Sequence, residues 1–259
     1  MLVVLSPAKR LDFSAQAPTT HFSKPIFLKE AKILVDELKK KTPTELSDLM
    51  EISEKLGQEN AQRYSQVKFP LNLNNSKQAV FAFRGDTYLG LGVDTFSQDD
   101  LLFSQLKLRI LSGLFGVLSP LDLIFPYRLE MGSKFGIGNH RNLYGFWKDK
   151  VTSNLNELDN SYLINCASEE YFSVIDPKKL KAKVITPVFL DREKGTKDKF
   201  KNIGIFAKQA RGMMASFIIK ERIKDPGKIK EFDLAGYTFD AKESKNEKLI
   251  FKREFKRKS

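Results

Sequence analysis

Arg128 and Glu130 stand two residues apart in Tyr127-Arg128-Leu129-Glu130-Met131, where apolar and charged side chains alternate. A period of two puts the arginine and the carboxylate on one face of an extended segment, opposite Tyr127, Leu129 and Met131. A guanidinium whose plane is held by a carboxylate suits phosphate. The same pair on a half-exposed strand is a salt bridge contributing no more than ~1 kcal/mol. Further cations fall at loops and helix starts. Lys9 follows the apolar run 2–5, and Arg84 leaves the apolar run 79–83 through Gly85-Asp86-Thr87-Tyr88. Lys208 and Arg211, at i and i+3, share a face near a helix start, where cations oppose the helix dipole at a cost of roughly a few tenths of a kcal/mol. An anion explains that placement better than packing does.

Other chemistries find little support. One cysteine, Cys166, excludes an internal disulfide and fits a reducing compartment. His21 and His140 are far apart and offer no metal-ligand spacing. The chain has no G-x-x-x-x-G-K-[ST] loop and no nucleophile elbow. No metal and no cofactor is called for, and iron binding would have to rest on scattered carboxylates. Two classes stay open: a binder of a phosphate-bearing polymer, and an enzyme acting on a phosphorylated or nucleic-acid substrate with Glu130 or Asp86 as acid or base beside Arg128.

Charge favours the first class. Forty-four Lys and Arg against thirty-two Asp and Glu give the 259 residues a net charge of +12, and the body is basic even without its Lys-rich end. Nucleic acid is the first partner this implies, an acidic membrane surface the second. No apolar run approaches 18 residues, and the segment 1–5 is too short for a signal peptide, so the expectation is a cytoplasmic protein without a membrane or an obligate protein partner.

These residues need a frame. The stretch 108–132, LRILSGLFGVLSPLDLIFPYRLEMG, is its apolar, glycine-kinked centre. Ser119-Pro120-Leu121-Asp122 reads as a short helix start that must end before Pro126. Buried strands are predicted at 2–5, 79–83 and 162–165, and a hairpin at 184–206. Helices are predicted from Pro25 to about Lys40, from Ser97 to about Leu111 with Arg109 leading out of it, over 143–158, and from Ala207 to about Ile223. A terminal strand pair joins 237–239 to 249–251. Thr42-Pro43-Thr44-Glu45 is a capping box opening one helix, and Ser53 caps a second after a tight turn. Strands alternate with helices, so the chain reads as one α/β domain, 1–259, with a mixed sheet and with 42–67 as a helical appendage. That appendage is either an ordinary helical hairpin or a helix-hairpin-helix module with Lys55 and Arg63 nearest the phosphate.

Five segments in order complete the reading: Ser6-Pro7-Ala8-Lys9, Phe83-Arg84-Gly85-Asp86-Thr87-Tyr88, the whole of 108–132, Asn165-Cys166-Ala167-Ser168-Glu169-Glu170-Tyr171, and Phe206-Ala207-Lys208-Gln209-Ala210-Arg211-Gly212. Together they resemble the YaaA family of peroxide stress proteins over essentially the full chain. The resemblance implies a mixed α/β fold particular to the family and a bacterial protein that limits peroxide damage and intracellular iron. It also implies DNA binding, including distorted duplexes, through a basic cleft and a helix-hairpin-helix element. On matching positions the implied contacts are Lys9, Arg84, Arg109, Arg128, Lys208 and Arg211, with Ser53, Lys55 and Arg63 from the hairpin. Ser119 stands where the family usually has arginine, which would remove one phosphate contact. Arg84 replaces a more usual lysine, and Cys166 a common leucine, which points to a packing role.

Overall fold

In the computed structural model, residues 1–158, 160–192, 196 and 199–254 are described. The predicted hairpin at 184–206 and the Lys-rich end therefore lie partly outside the described residues. Leu2–Leu5 (β1) is buried at all four positions, as a strand covered on both faces must be. Arg10–Leu11 (β2) follows, and Leu28–Leu38 (α1) buries Ala31, Leu34, Val35 and Leu38 on one face. The capping box at Thr42 and Glu45 forms and opens Pro43–Met50 (α2). Glu54–Gln66 (α3) starts at Ser53, whose hydroxyl accepts from the Leu56 N–H at 3.4 Å.

The predicted strand at 79–83 is instead Lys77–Gln78 (β3), a single helical turn Ala79–Ala82 (α4), and Phe83–Arg84 (β4). Full burial removes the alternation that separates strand from helix. The predicted helix start at Ser119 is a turn, and the two differences share a cause. The orphan N–H groups opening α4 donate to it, Ala79 to the Asp122 carbonyl at 2.8 Å and Val80 to the Pro120 carbonyl at 2.9 Å. The Asp122 carboxylate in turn accepts from the Ser119 N–H at 2.7 Å.

Asp86–Leu91 (α5) and Gln98–Lys107 (α6) follow. The latter stops four residues short of the predicted end, and Leu108–Ser112 (β5) continues as a fully buried strand that turns back into Gly116–Leu118 (β6). Leu123–Ile124 (β7) pairs with β3, and Leu143–Glu157 (α7) leads to Tyr162–Cys166 (β8). Glu169–Phe172 (α8) precedes Lys183–Arg192 (β9), whose predicted hairpin return shrinks to Phe200–Lys201 (β10). Gly204–Lys220 (α9) crosses to Tyr237–Lys245 (β11), which pairs with Lys248–Arg253 (β12); the predicted pairing of 237–239 with 249–251 forms, is antiparallel and extends beyond the predicted ends.

The result is a compact mixed α/β body. Its main sheet runs β11-β12-β9-β8-β1-β5-β6, with β10 on β9. Five of these strands are mutually parallel, in the spatial order β5, β1, β8, β9, β12. Counted along the chain, that is second, first, third, fourth, fifth, so the direction of winding reverses between β1 and β8.

A cation-lined cleft where the sheet reverses

In open α/β sheets the ligand crevice lies beyond the carboxyl ends of the strands at such a reversal. At that place the loop Ser6-Pro7-Ala8-Lys9 leaving β1 and the residues ending and following β8 line a cleft of about 430 Å³. The two loops are tied together. Ser6 Oγ donates to Ser168 Oγ at 3.2 Å and accepts from the Ser168 N–H at 2.8 Å, while the Tyr88 hydroxyl donates to the Ser6 carbonyl at 3.1 Å.

One wall is the segment 127–131. Tyr127, Leu129 and Met131 are buried and Arg128 and Glu130 are half-buried, so the predicted alternation holds although the segment lies outside the sheet. Close approach sets its position: a Cβ on Gly113, just past β5, would sit 2.3 Å from the Leu129 carbonyl oxygen. The Tyr64 hydroxyl of α3 donates to the Arg128 carbonyl at 2.5 Å. Glu130 Oε1 accepts from Arg128 Nε at 3.0 Å and lies 2.9 Å from its Nη2, with Lys9 Nζ at 3.5 Å. Glu130 thus orients the guanidinium. Its other oxygen, Oε2, is buried without a hydrogen-bond partner among the described residues.

The opposite wall is formed by α5 and α9. A Cβ on Gly212 would lie 1.8 Å from the Thr87 carbonyl oxygen, and one on Gly90 1.9 Å from that of Gln209, so only glycine allows the two helices this contact. It sets Asp86 and Thr87 at the cleft with Lys208 and Arg211. Arg211, eighth in α9, is half-buried, and burial pulls its pKa down from the usual arginine range. Among the described residues neither it nor Lys208 has a hydrogen bond or ion pair. Burial pushes the Cys166 thiol up to about 12, so this cysteine is a packing residue as predicted. Arg84 also lines the cleft, with its Nε 3.5 Å from Asp12 and its Nη1 3.8 Å from Asp94. Hydrogen bonds from Ser14 hold the Asp12 carboxyl at about 2.

The lining therefore holds six cations, Lys9, Arg10, Arg84, Arg128, Lys208 and Arg211, against the carboxylates of Asp86, Glu130 and Glu170. Arg10 and Glu170 are not evident from the sequence. Arg10 faces Arg84 across the short β2–β4 ladder, and Glu170 has a sufficient role in the first turn of α8 until its place beside the cleft is known. Arg109 must be corrected. It lies in β5, is 8% exposed, and donates to the carbonyls of Gln105 at 2.9 Å and Leu108 at 2.7 Å. It satisfies the carbonyls at the end of α6 and does not line the cleft. Ser119 does not line it either. The helical pair α2–α3 meets the cleft from the side: a hollow of about 260 Å³ shares Lys9, Glu130 and Glu170 with it and runs on to Met50, Glu51 and Lys134. Ser53, Lys55 and Arg63 lie outside both, with Arg63 3.7 Å from Glu59.

The fold is thus a mixed α/β one with a half-buried guanidinium, without a counter-ion among the described residues, at the reversal point of its parallel strands. The sequence comparisons specify it further. The family described as peroxide stress protein YaaA matches residues 1–243. The chain is 46% identical over 258 residues to a UPF0246 protein of Cellvibrio japonicus and 48% identical over 257 residues to one of Teredinibacter turnerae, each alignment covering 98% of this chain and 99% of the relative. A UPF0246 protein of Ralstonia pickettii is 47% identical over the same shares. The chain belongs to this family of peroxide stress proteins.

Proposed function

We propose that the chain acts in the peroxide stress response as a cytoplasmic DNA-binding protein whose cleft grips the phosphate backbone. The observation that carries this is the convergence of Lys9, Arg84, Arg128, Lys208 and Arg211 on one cleft, two of them without counter-ions among the described residues. Desolvating a cation that has no partner is unfavourable unless an anion arrives. The pair α2–α3, read as a helix-hairpin-helix element, offers Ser53, Lys55 and Arg63 to a second stretch of backbone, and the partner is double-stranded DNA, including distorted forms. Effects on intracellular iron follow from DNA binding in this reading.

Binding should fall with salt. With six phosphates neutralised, log K against log salt has a slope of about −5, and Arg128→Ala with Arg211→Ala reduces that slope by about 2. Fluorescence anisotropy between 50 and 200 mM salt measures it. A flat response, or unchanged binding by the double variant, overturns the reading. The carboxylates Asp86 and Glu130 inside the same cleft favour a second reading, an enzyme on a phosphorylated or nucleic-acid substrate. Incubation with nicked, bubbled and abasic DNA and divalent metals tests it, and intact substrate in every reaction removes it.

A further inference from the structure

We infer that the cleft receives a single nucleotide unit, its phosphate on Lys208 and Arg211 and a donor of its sugar or base on Glu130 Oε2. The inference rests on the DNA-binding reading for the source of the unit when that source is a strand. Three observations converge. The cleft, at about 430 Å³, has the volume of a small-ligand site and is too small to enclose a duplex. Its cations are not equivalent. Arg128 already gives Nε and Nη2 to Glu130, and Arg84 faces Asp12 and Asp94, whereas Lys208 and Arg211, on one face of α9, donate to no other described residue. Two adjacent cations match one phosphate group.

The third observation is the buried, unpartnered Glu130 Oε2. A phosphodiester cannot satisfy it, because its oxygens are acceptors only and carry the same charge. An N–H or O–H can, and burying the carboxylate without one is costly. The occupant therefore carries an anionic group and a donor within one small volume. Pro7 and Ala8 in the lining give a base an apolar surface, which a bare sugar phosphate does not use.

The test uses the full chain, with calorimetry for free ligands and anisotropy for labelled duplexes, one fully paired and one with a single-nucleotide bulge. The expected result is that deoxyadenosine monophosphate binds and competes with the bulged duplex. Deoxyadenosine, inorganic phosphate and glucose 6-phosphate each bind at least about tenfold more weakly. The bulged duplex is preferred over the paired one, and Arg211→Met removes both the preference and at least about tenfold of the nucleotide affinity. Lys208→Met, at an exposed position, gives the same direction if the first variant does not fold. Binding of the nucleotide with no duplex bound supports the inference for free nucleotides and removes the DNA reading. A bulge preference without free-nucleotide binding supports it for DNA alone. Equal binding of both duplexes without nucleotide competition, or equal binding of glucose 6-phosphate and the nucleotide, overturns it and leaves the DNA reading standing.

Discussion

Cys166 ends β8 at the cleft, yet its chemistry is closed off. Burial pushes its thiol well above the usual cysteine range, so little thiolate forms near neutral pH, and the thiolate is the reactive form. Native protein should alkylate with iodoacetamide at less than about a hundredth of the rate of unfolded protein, as read by mass spectrometry. Rapid native labelling would show a different environment. Tyr64 makes a second residue-scale prediction. Its buried hydroxyl holds the Arg128 carbonyl, so Tyr64→Phe should lower stability by about 1 kcal/mol in urea denaturation while weakening DNA binding. Unchanged binding would mean that 127–131 is held without it. The Arg128–Glu130 pairing was legible because an alternation of two survives wherever a segment is extended, even outside a sheet. Arg109 misled for a local reason: its donors are used by carbonyls at the end of α6, and that end is not evident in a run that stays apolar into β5.

At the scale of elements, the cleft depends on the contact of α5 with α9. Gly212→Ala places a methyl where the Thr87 carbonyl lies, and the backbones must separate. Overpacking of this kind costs about 1–3 kcal/mol, so the midpoint of thermal unfolding should fall by about 2–10 °C. The same separation moves Lys208 and Arg211 away from Asp86, so DNA affinity should fall with stability. A variant that melts normally would show that the helices adjust freely. The glycine is visible in the sequence, but its partner 125 residues earlier is not. The starts of helices α2, α3 and α6 were legible because their caps at Thr42, Ser53 and Ser97 are local. The turn at 119–122 was not, since its carbonyls are taken by α4, a contact between segments 40 residues apart in the chain.

For the whole molecule, charge and topology meet at one place. The net charge of +12 is spread over the surface, but the reversal between β1 and β8 gathers six cations around one crevice. No histidine lines it, and burial pushes Cys166, Tyr88, Tyr127 and Tyr171 upward, away from neutrality. DNA affinity at fixed salt should therefore change less than about threefold between pH 6 and 8, measured by anisotropy. A steep change would place a titrating contact outside the cleft.

By itself the sequence determined the α/β class, the capped helices, the shared face of Arg128 and Glu130, the shared face of Lys208 and Arg211, and the packing role of Cys166. Each of these is written in neighbours within a few residues, where caps and periodicity act. Only the tertiary structure decided that Arg109 is spent on backbone, that Arg10 and Glu170 join the cleft, and that among the described residues Arg211 and Glu130 Oε2 are left without partners. Whether a charge is satisfied depends on what the sheet order brings beside it, and that order joins β1 to β8 across more than 150 residues of chain.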